Sequence, residues 1–353
     1  MSSKILVALM LYFALCISCA EEQTTSKPQI QQPQTQHPSV RNAHSMAYDS
    51  VNKRLVLFGG ADHEKVLSDL WVYKTDNWLQ LQRKTTPPPR TFASLVFDEH
   101  NNQLLLFGGN RVLFGEKTDA SNLLNDTWIF KNDRWHKLNL PVSPQPRAEA
   151  GIVYDRSTNQ VVLFGGYTIQ KDAYVKLADT WVFKNEQWHQ EHTEGPTARH
   201  GVAMWYDTKD EQVLLFGGST VDRQYGAATG ETWALENNAW KKLPVQQPEG
   251  LFNPAAAYDR SMSSLLLFGG WEGTKRVNKT SRFKDQKWQE IALPVSPTPR
   301  NHSQMIFDEA KSRFLLFGGH DGERVFGDLW EFKDNSWIKL TGVQSLARIV
   351  NAH

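Results

Sequence analysis

Six times along the chain, a run of four apolar residues ends on a pair of glycines. The copies are LVLFGG from Leu55, LLLFGG from Leu104, VVLFGG from Val161, VLLFGG from Val213, LLLFGG from Leu265 and FLLFGG from Phe314. They return every 49 to 57 residues. Self-similarity at that period marks one array of repeated units, not the two or three separate domains that 353 residues would otherwise suggest. An extended segment that is apolar at four consecutive positions is apolar on both faces and has to be covered on both. A lone four-stranded sheet covers one face, whereas a ring of sheets stacked face to face covers both. The glycine pair at the strand end allows unusual backbone angles and close approach by a neighbouring sheet.

The register around each glycine pair is strict. Ten residues before the first glycine stands an aspartate: Asp49, Asp98, Asp155, Asp207, Asp259 and Asp308. Eight residues earlier stands an arginine in five copies, Arg41, Arg90, Arg147, Arg199 and Arg300, with Leu251 in the fifth copy. After the glycines comes a gap of variable length, then two tryptophans seven residues apart, such as Trp128 and Trp135. The fifth copy keeps Trp288 but has Ser281 in the first place and Lys279 where the other copies carry an acid. Each unit reads as four short strands, with turn-forming pairs such as Asn132-Asp133 between the third and fourth. No segment shows a sustained helical period. The expected fold is all-β: a six-bladed β-propeller with four antiparallel strands per blade.

Apolar strand, double glycine, aromatic-x-aromatic and a tryptophan at these offsets together resemble the kelch repeat. The resemblance covers roughly residues 41–340, as repeats at about 41–81, 90–138, 147–191, 199–243, 251–291 and 300–340, with a tail at 341–353 inside a propeller domain of 41–353. Arg348 in that tail stands where a seventh first strand would begin, so the tail is expected to lie against the first blade and latch the ring. The repeated glycines, tryptophans and aspartates are read as blade-building residues and not as functional sites.

The N-terminus is a separate object. Lys4 is followed by an almost unbroken apolar run from Ile5 to Ile17, too short to span a bilayer comfortably and trailed by small residues. Residues 1–19 therefore read as an export signal. Either cleavage follows Ala20, or Ile17-Ser18-Cys19 acts as a lipobox with Cys19 as the lipidation candidate; Cys16 departs from the leucine usual in such a box. Residues 20–40, rich in Gln, Pro and Thr, suit a flexible tether. The expectation is an exported protein, a cell-envelope lipoprotein ahead of a periplasmic or secreted one, touching a membrane only through that lipid. Both cysteines lie in the leader, so the propeller holds no disulfide.

Function is expected on the rim formed by the 2–3 and 4–1 connections, because these vary in length while the 1–2 and 3–4 connections are short and uniform. The longest insert, Asn110 to Asn125, carries Val112, Leu113 and Phe114 in positions that look exposed. In kelch propellers the first strand lies nearest the central channel, so the resemblance places the five arginines around its mouth. Two readings follow. The arginines form an anion trap for carboxylate or phosphate, or each pairs with a neighbour and locks the blades. A second constellation joins His44, Asp62 and His63 of copy one to His302, His320 and Asp321 of copy six, which a closed ring makes neighbours. The same residues also sit in ordinary loop turns, and no metal or other cofactor is expected from them.

A net charge of +1 carries no signature of a nucleic-acid binder. The chain lacks the Cys–Tyr pair of galactose oxidase, the iron motif of plant specifier proteins, a phosphate loop and a Gly-x-Ser-x-Gly elbow. The expected function is that of a binding or scaffolding propeller with no assigned catalytic residue, recognising a protein or an acidic glycan or peptide. The alternative is a sugar-modifying enzyme of the sialate-epimerase type on the same rim.

Overall fold

The computed structural model describes residues 37–113, 115–220, 227–245 and 249–341. These residues build six four-stranded antiparallel sheets, each from one continuous stretch of chain and each ordered first to fourth strand. In blade one the strands are Ser45–Asp49, Arg54–Phe58, Leu70–Lys74 and Asn77–Gln80. The first strands of the other blades are Ser94–Asp98, Gly151–Asp155, Ala203–Asp207, Ala255–Asp259 and Gln304–Asp308. They pack side by side, with blade one against blade six, so the sheets close into a propeller around a channel lined by first strands.

The apolar second strand is covered on both faces, as its composition requires. In blade one, Val56 and Phe58 pack toward Leu104, Leu106 and Trp135 of blade two, while Leu55 and Leu57 pack toward Leu315 and Phe317 of blade six. Each of these side chains is at most 3% exposed. At about 1.5–3 kcal/mol per fully buried large side chain, the spaces between blades hold most of the apolar stabilisation. The second tryptophan of each blade reaches across to the phenylalanine before the preceding glycine pair, as in Phe58–Trp135, Phe107–Trp188 and, across the closure, Phe317–Trp78.

The glycine pair has a double cause. Gly59 and Gly60 have φ of 66° and 88°, in the left-handed region that disfavours side chains. A Cβ on Gly59 would stand 2.8 Å from the Arg90 carbonyl oxygen of the next blade. The second glycine of each pair donates its N–H to the backbone of the following blade, from Gly60 to Arg90 at 2.9 Å around to Gly319 with Arg41 at 2.9 Å. Closure is therefore made by loop backbone between blades one and six. The expected latch at 342–353 lies outside the described residues, as do the expected export signal and most of the expected tether.

The tight connections also follow their residues. Each 3–4 hairpin turns on two left-handed residues, such as Asn132 and Asp133, the geometry that matches strand twist. The aspartate ending each first strand accepts from the turn that follows, as Asp49 does from the Asn52 N–H at 2.9 Å.

Candidate ligand-binding site

The five arginines enter the blades from the 2–3/4–1 side, but they do not present free donors to the channel. Arg41 donates through Nε to the Ser39 carbonyl, through Nη1 to the Gly59 carbonyl and Asp69 Oδ1, and through Nη2 to Ser39 Oγ and Asp69 Oδ2. All five of its N–H groups are used. Arg90, Arg147 and Arg300 form the same two-pronged pair with Asp126, Asp179 and Asp328, and Arg199 pairs with Glu231 at 2.8 Å. Every one of the five is at most 1% exposed. The first tryptophan of the blade completes the unit, as Trp181 Nε1 donates to Asp179 Oδ2 at 2.7 Å. Burial pushes the carboxyl groups of Asp69, Asp126, Asp179 and Asp328 up, but the arginine bonds and charge outweigh it and hold them below their usual range. Within each blade this is a lock. The expectation of an anion trap with spare donors is corrected accordingly.

The fifth blade replaces the lock as a set. Leu251 and Ser281 are buried where the arginine and tryptophan would be, and Lys279 turns out to the surface to meet Glu249 at 2.6 Å.

Two residues beyond each arginine position, the chain does something the repeat pattern did not announce. Ala43, Phe92, Glu149, Gly201, Asn253 and His302 all have positive φ, between 51° and 67°. Their backbones form a closed circuit: Phe92 N donates to Ala43 O, Glu149 to Phe92, Gly201 to Glu149, Asn253 to Gly201, His302 to Asn253, and Ala43 to His302, at 2.8–3.4 Å. Five non-glycine residues in a conformation costing about 1–3 kcal/mol each are held by this circuit. It encircles the channel mouth, and each blade offers a different side chain there.

Those side chains build a polar cluster across blades three to six. Glu149 Oε2 accepts from His200 Nδ1 at 2.6 Å and from Asn253 Nδ2 at 2.9 Å. Asn253 donates its other amide proton to His302 Nε2 at 2.8 Å, and His302 Nδ1 meets His320 Nε2 at 2.9 Å. This pattern assigns the His302 proton to Nδ1. Burial pushes Glu149 up, but the charge and hydrogen bond of His200, with His302 and Asn253 behind them, bring it down to about 2. Burial lowers His302 to about 4 against the opposing pull of Glu149. His320 is lowered well below the usual histidine value by burial, then by His302 and Arg276.

The cluster opens into a channel cavity of about 250 Å³. Its floor is an apolar belt of Met46, Leu95, Ile152, Met204, Ala256 and Met305, which line both halves of the channel. At the opposite end an ionic bridge spans the bore: Glu99 pairs with Arg156 and Arg260, and Arg260 reaches Glu309 at 3.1 Å. The mouth is thus a cup with a greasy floor and a charged stopper behind it.

The long inserts furnish its edge. The blade-two insert does not project as expected. Asn110 and Leu123 pair as an extension of the second and third strands, Leu123 and Leu124 are buried, and Leu113 lines a side cleft of the cup. Val112 is half-buried, and Phe114 lies outside the described residues. The blade-three insert forms an extra hairpin, Tyr167–Gln170 with Ala173–Lys176, that brings Tyr167, Tyr174 and Lys176 to the same cleft.

The histidine constellation is divided by the structure. His302 and His320 stack at 5.0 Å within blade six. His44 is buried edge-on against Phe317 at 5.5 Å and lines the cup. Asp62 and Asp321 hold loop turns by accepting backbone N–H groups. Among the described residues no three His, Cys, Asp or Glu side chains are grouped to hold a metal ion. Glu149, His200, Asn253 and Phe92 escaped the sequence reading. Phe92, Glu149 and Asn253 share the position two past the arginine and His200 stands one past it, and at both positions the residue type varies between blades.

A sequence profile of the KLHDC2/KLHL20/DRC7 Kelch-repeats domain matches residues 14–189 and 156–347. An F-box/kelch-repeat protein of Arabidopsis thaliana is 28% identical over 286 residues, which are 66% of this chain and 55% of that protein. The flagellar outer-arm dynein alpha chain of Chlamydomonas reinhardtii is 26% identical over 262 residues, 66% of this chain and 5% of that one. A tRNA wybutosine-synthesizing protein 4 of Emericella nidulans is 33% identical over 122 residues, 31% of this chain and 11% of its own length. The chain therefore spans about half of the plant protein and far less of the other two. Six blades in register and a profile running through both halves of the array have one meaning: the chain belongs to the kelch-repeat family of β-propellers.

Proposed function

We propose that this kelch propeller is a binding scaffold whose ligand seats in the cup at the channel mouth, between the 2–3 and 4–1 connections. The observation that carries this reading is the circuit of left-handed residues. It holds five non-glycine side chains in a costly backbone conformation and presents Phe92, Glu149, Asn253 and His302 to one cavity. A concave site with a few converging polar groups and aromatic walls is the usual form of a ligand pocket. The partner is a glycan or polypeptide whose terminal group enters the cup while its remainder lies on the rim. The sugar-modifying alternative needs groups that exchange protons near neutral pH; Glu149 at about 2 and His302 at about 4 are not poised for that. The leader suggests that the scaffold works outside the cytoplasm, held by a lipid on Cys19.

Glycan and peptide arrays probed with the propeller, then repeated with Asn253→Ala and with Glu99→Gln, test the cup. Capture should fall at least tenfold with the Asn253 variant and persist with the Glu99 variant at the stoppered end. The opposite order would overturn the assignment of the cup.

A further inference from the structure

We infer that what enters the mouth is an uncharged aromatic ring carried by a polypeptide, seated in the side cleft between the blade-two insert and the blade-three hairpin. This rests on the reading of the cup as the binding site and specifies where in it the partner's tip lies and what that tip is.

Three observations converge. The first is position. Phe92, Glu149, Asn253 and His302 line the side cleft as well as the channel cavity, so they form the wall that the two share. They also touch one another: Asn253 bonds both Glu149 and His302, and the Phe92 and His302 rings meet edge-on at 4.9 Å. A Cβ on Gly201 would stand 2.6 Å from Asn253 Oδ1, so the amide passes over blade four where no side chain stands. The cleft is the side of this wall on which the two long inserts stand, with Leu113 and Glu116 from one and Tyr174 and Lys176 from the other.

The second is the rings around the cleft. They run in train, Tyr174 to Tyr167 at 5.1 Å, Tyr167 to His200 at 5.7 Å and His200 to Phe252 at 5.7 Å between centroids. Tyr174, Phe92 and Leu113 are only half-buried, so apolar surface at the cleft is left uncovered by the fold. Aromatic rings pair best at about 4.5–7 Å in tilted or offset arrangements, and one more ring continues the series.

The third is that the polar groups of the lining largely bond one another. Asn110 Nδ2 donates to the Tyr167 hydroxyl at 3.3 Å and to Thr118 Oγ1 at 3.0 Å. Glu116 Oε2 accepts from the Leu113 N–H at 3.2 Å, the buried Lys176 Nζ donates to Ser219 Oγ at 3.0 Å, and Glu149 holds His200 and Asn253. Charges of both signs are present and both are engaged, so an ionic group entering here sheds its water for little pairing in return. The acidic ligand expected from the arginine pattern is disfavoured on that ground. A sugar meets the same loss at each hydroxyl, whereas an aromatic ring has little water to lose. The cleft volume is about 40 Å³, room for about three or four water-sized bodies, which suits a flat ring better than a hexose. Such rings are side chains of polypeptides and not of glycans, which decides between the two kinds of partner.

The test is titration of the propeller, followed by methyl NMR, with capped peptides carrying tryptophan, tyrosine, phenylalanine, leucine, lysine or glutamate between glycines, beside phenol and N-acetylglucosamine. At least one aromatic peptide should bind at least tenfold tighter than the leucine, lysine and glutamate peptides and than either small molecule. It should also move the Leu113 methyl signals by its ring current. Tyr174→Leu keeps apolar bulk in the hairpin and removes the ring; it should weaken that peptide at least tenfold. The Leu113 signals read the cleft directly, so they decide the matter even where the Tyr174 variant fails to fold. Equal binding of the leucine peptide, tighter binding of a charged peptide or of the sugar, full affinity in the Tyr174 variant, or unmoved Leu113 signals would each overturn the inference. Phenol binding as tightly as the peptide would overturn its polypeptide part. If array ligands still depend on Asn253 in that event, the cup remains the site and only its aromatic occupant falls. If they do not, the cup assignment falls as well.

Discussion

Replacing Asp179 by alanine strands one of the most buried charges in the protein. The Arg147 side chain is 1% exposed, and Asp179 meets its Nη2 at 2.7 Å and its Nη1 at 2.7 Å. The same carboxylate accepts from Trp181 Nε1. Removing one partner of a buried ion pair costs about 3–5 kcal/mol, because the remaining charge keeps its desolvation penalty and loses its compensation. Unfolding entropy is about 2.1 cal/mol/K per residue, or roughly 0.6 kcal/mol/K for about 300 cooperative residues, so the melting temperature should fall by about 5–8 °C. Arg147→Leu in the same background removes the stranded guanidinium and copies what blade five already does with Leu251. The double variant should therefore be more stable than Asp179→Ala alone, with a coupling of about 2 kcal/mol or more in a double-mutant cycle. Acetate or formate should restore part of the loss in the single variant and none in the double. Calorimetric melts of the four proteins decide the matter. Additive losses, or an Asp179→Ala cost below about 1 kcal/mol, would refute the lock.

Stability should also fall on acidification. His302 titrates at about 4 in the folded chain against 6.5 when unfolded, and His44 and His320 are lowered too. Well above pH 6.5 these rings are neutral in both states and stability is full; as pH falls through 6.5 toward 4 the unfolded chain takes up protons that the folded chain refuses, which costs roughly 3 kcal/mol for His302 alone. Melting temperatures measured from pH 7 to pH 4 should drop across that window, more shallowly in His44→Phe, and a flat profile would contradict the buried neutral rings. On the proposal that Cys19 is lipidated, Cys19→Ser should release the protein to the soluble fraction and abolish labelling by a fatty-acid analogue; unchanged partitioning would leave simple secretion.

Much of the architecture is legible from local rules. The double-sided second strand demands stacked sheets, and Gly59 and Gly60 mark the point where the next blade's backbone passes too close for a Cβ. Asp49 and its equivalents mark the turn they hold, and Asn132-Asp133 marks a hairpin. These are decided by nearest neighbours in the chain or by a contact that recurs six times, so repetition makes them visible. The arginine position was legible too, but its role was not. A guanidinium at a channel mouth and one buried in a blade have the same spacing in sequence. Only folding brings Asp179, 32 residues away, against Arg147 and engages both of its Nη atoms. The cup is the reverse case. Glu149, His200, Asn253 and His302 come from separate blades and share no local motif, and they meet because ring closure carries them to one mouth. Repetition fixes the scaffold through contacts each blade makes alike. The site lies where the blades differ, and which differences face one another is a property of the closed ring.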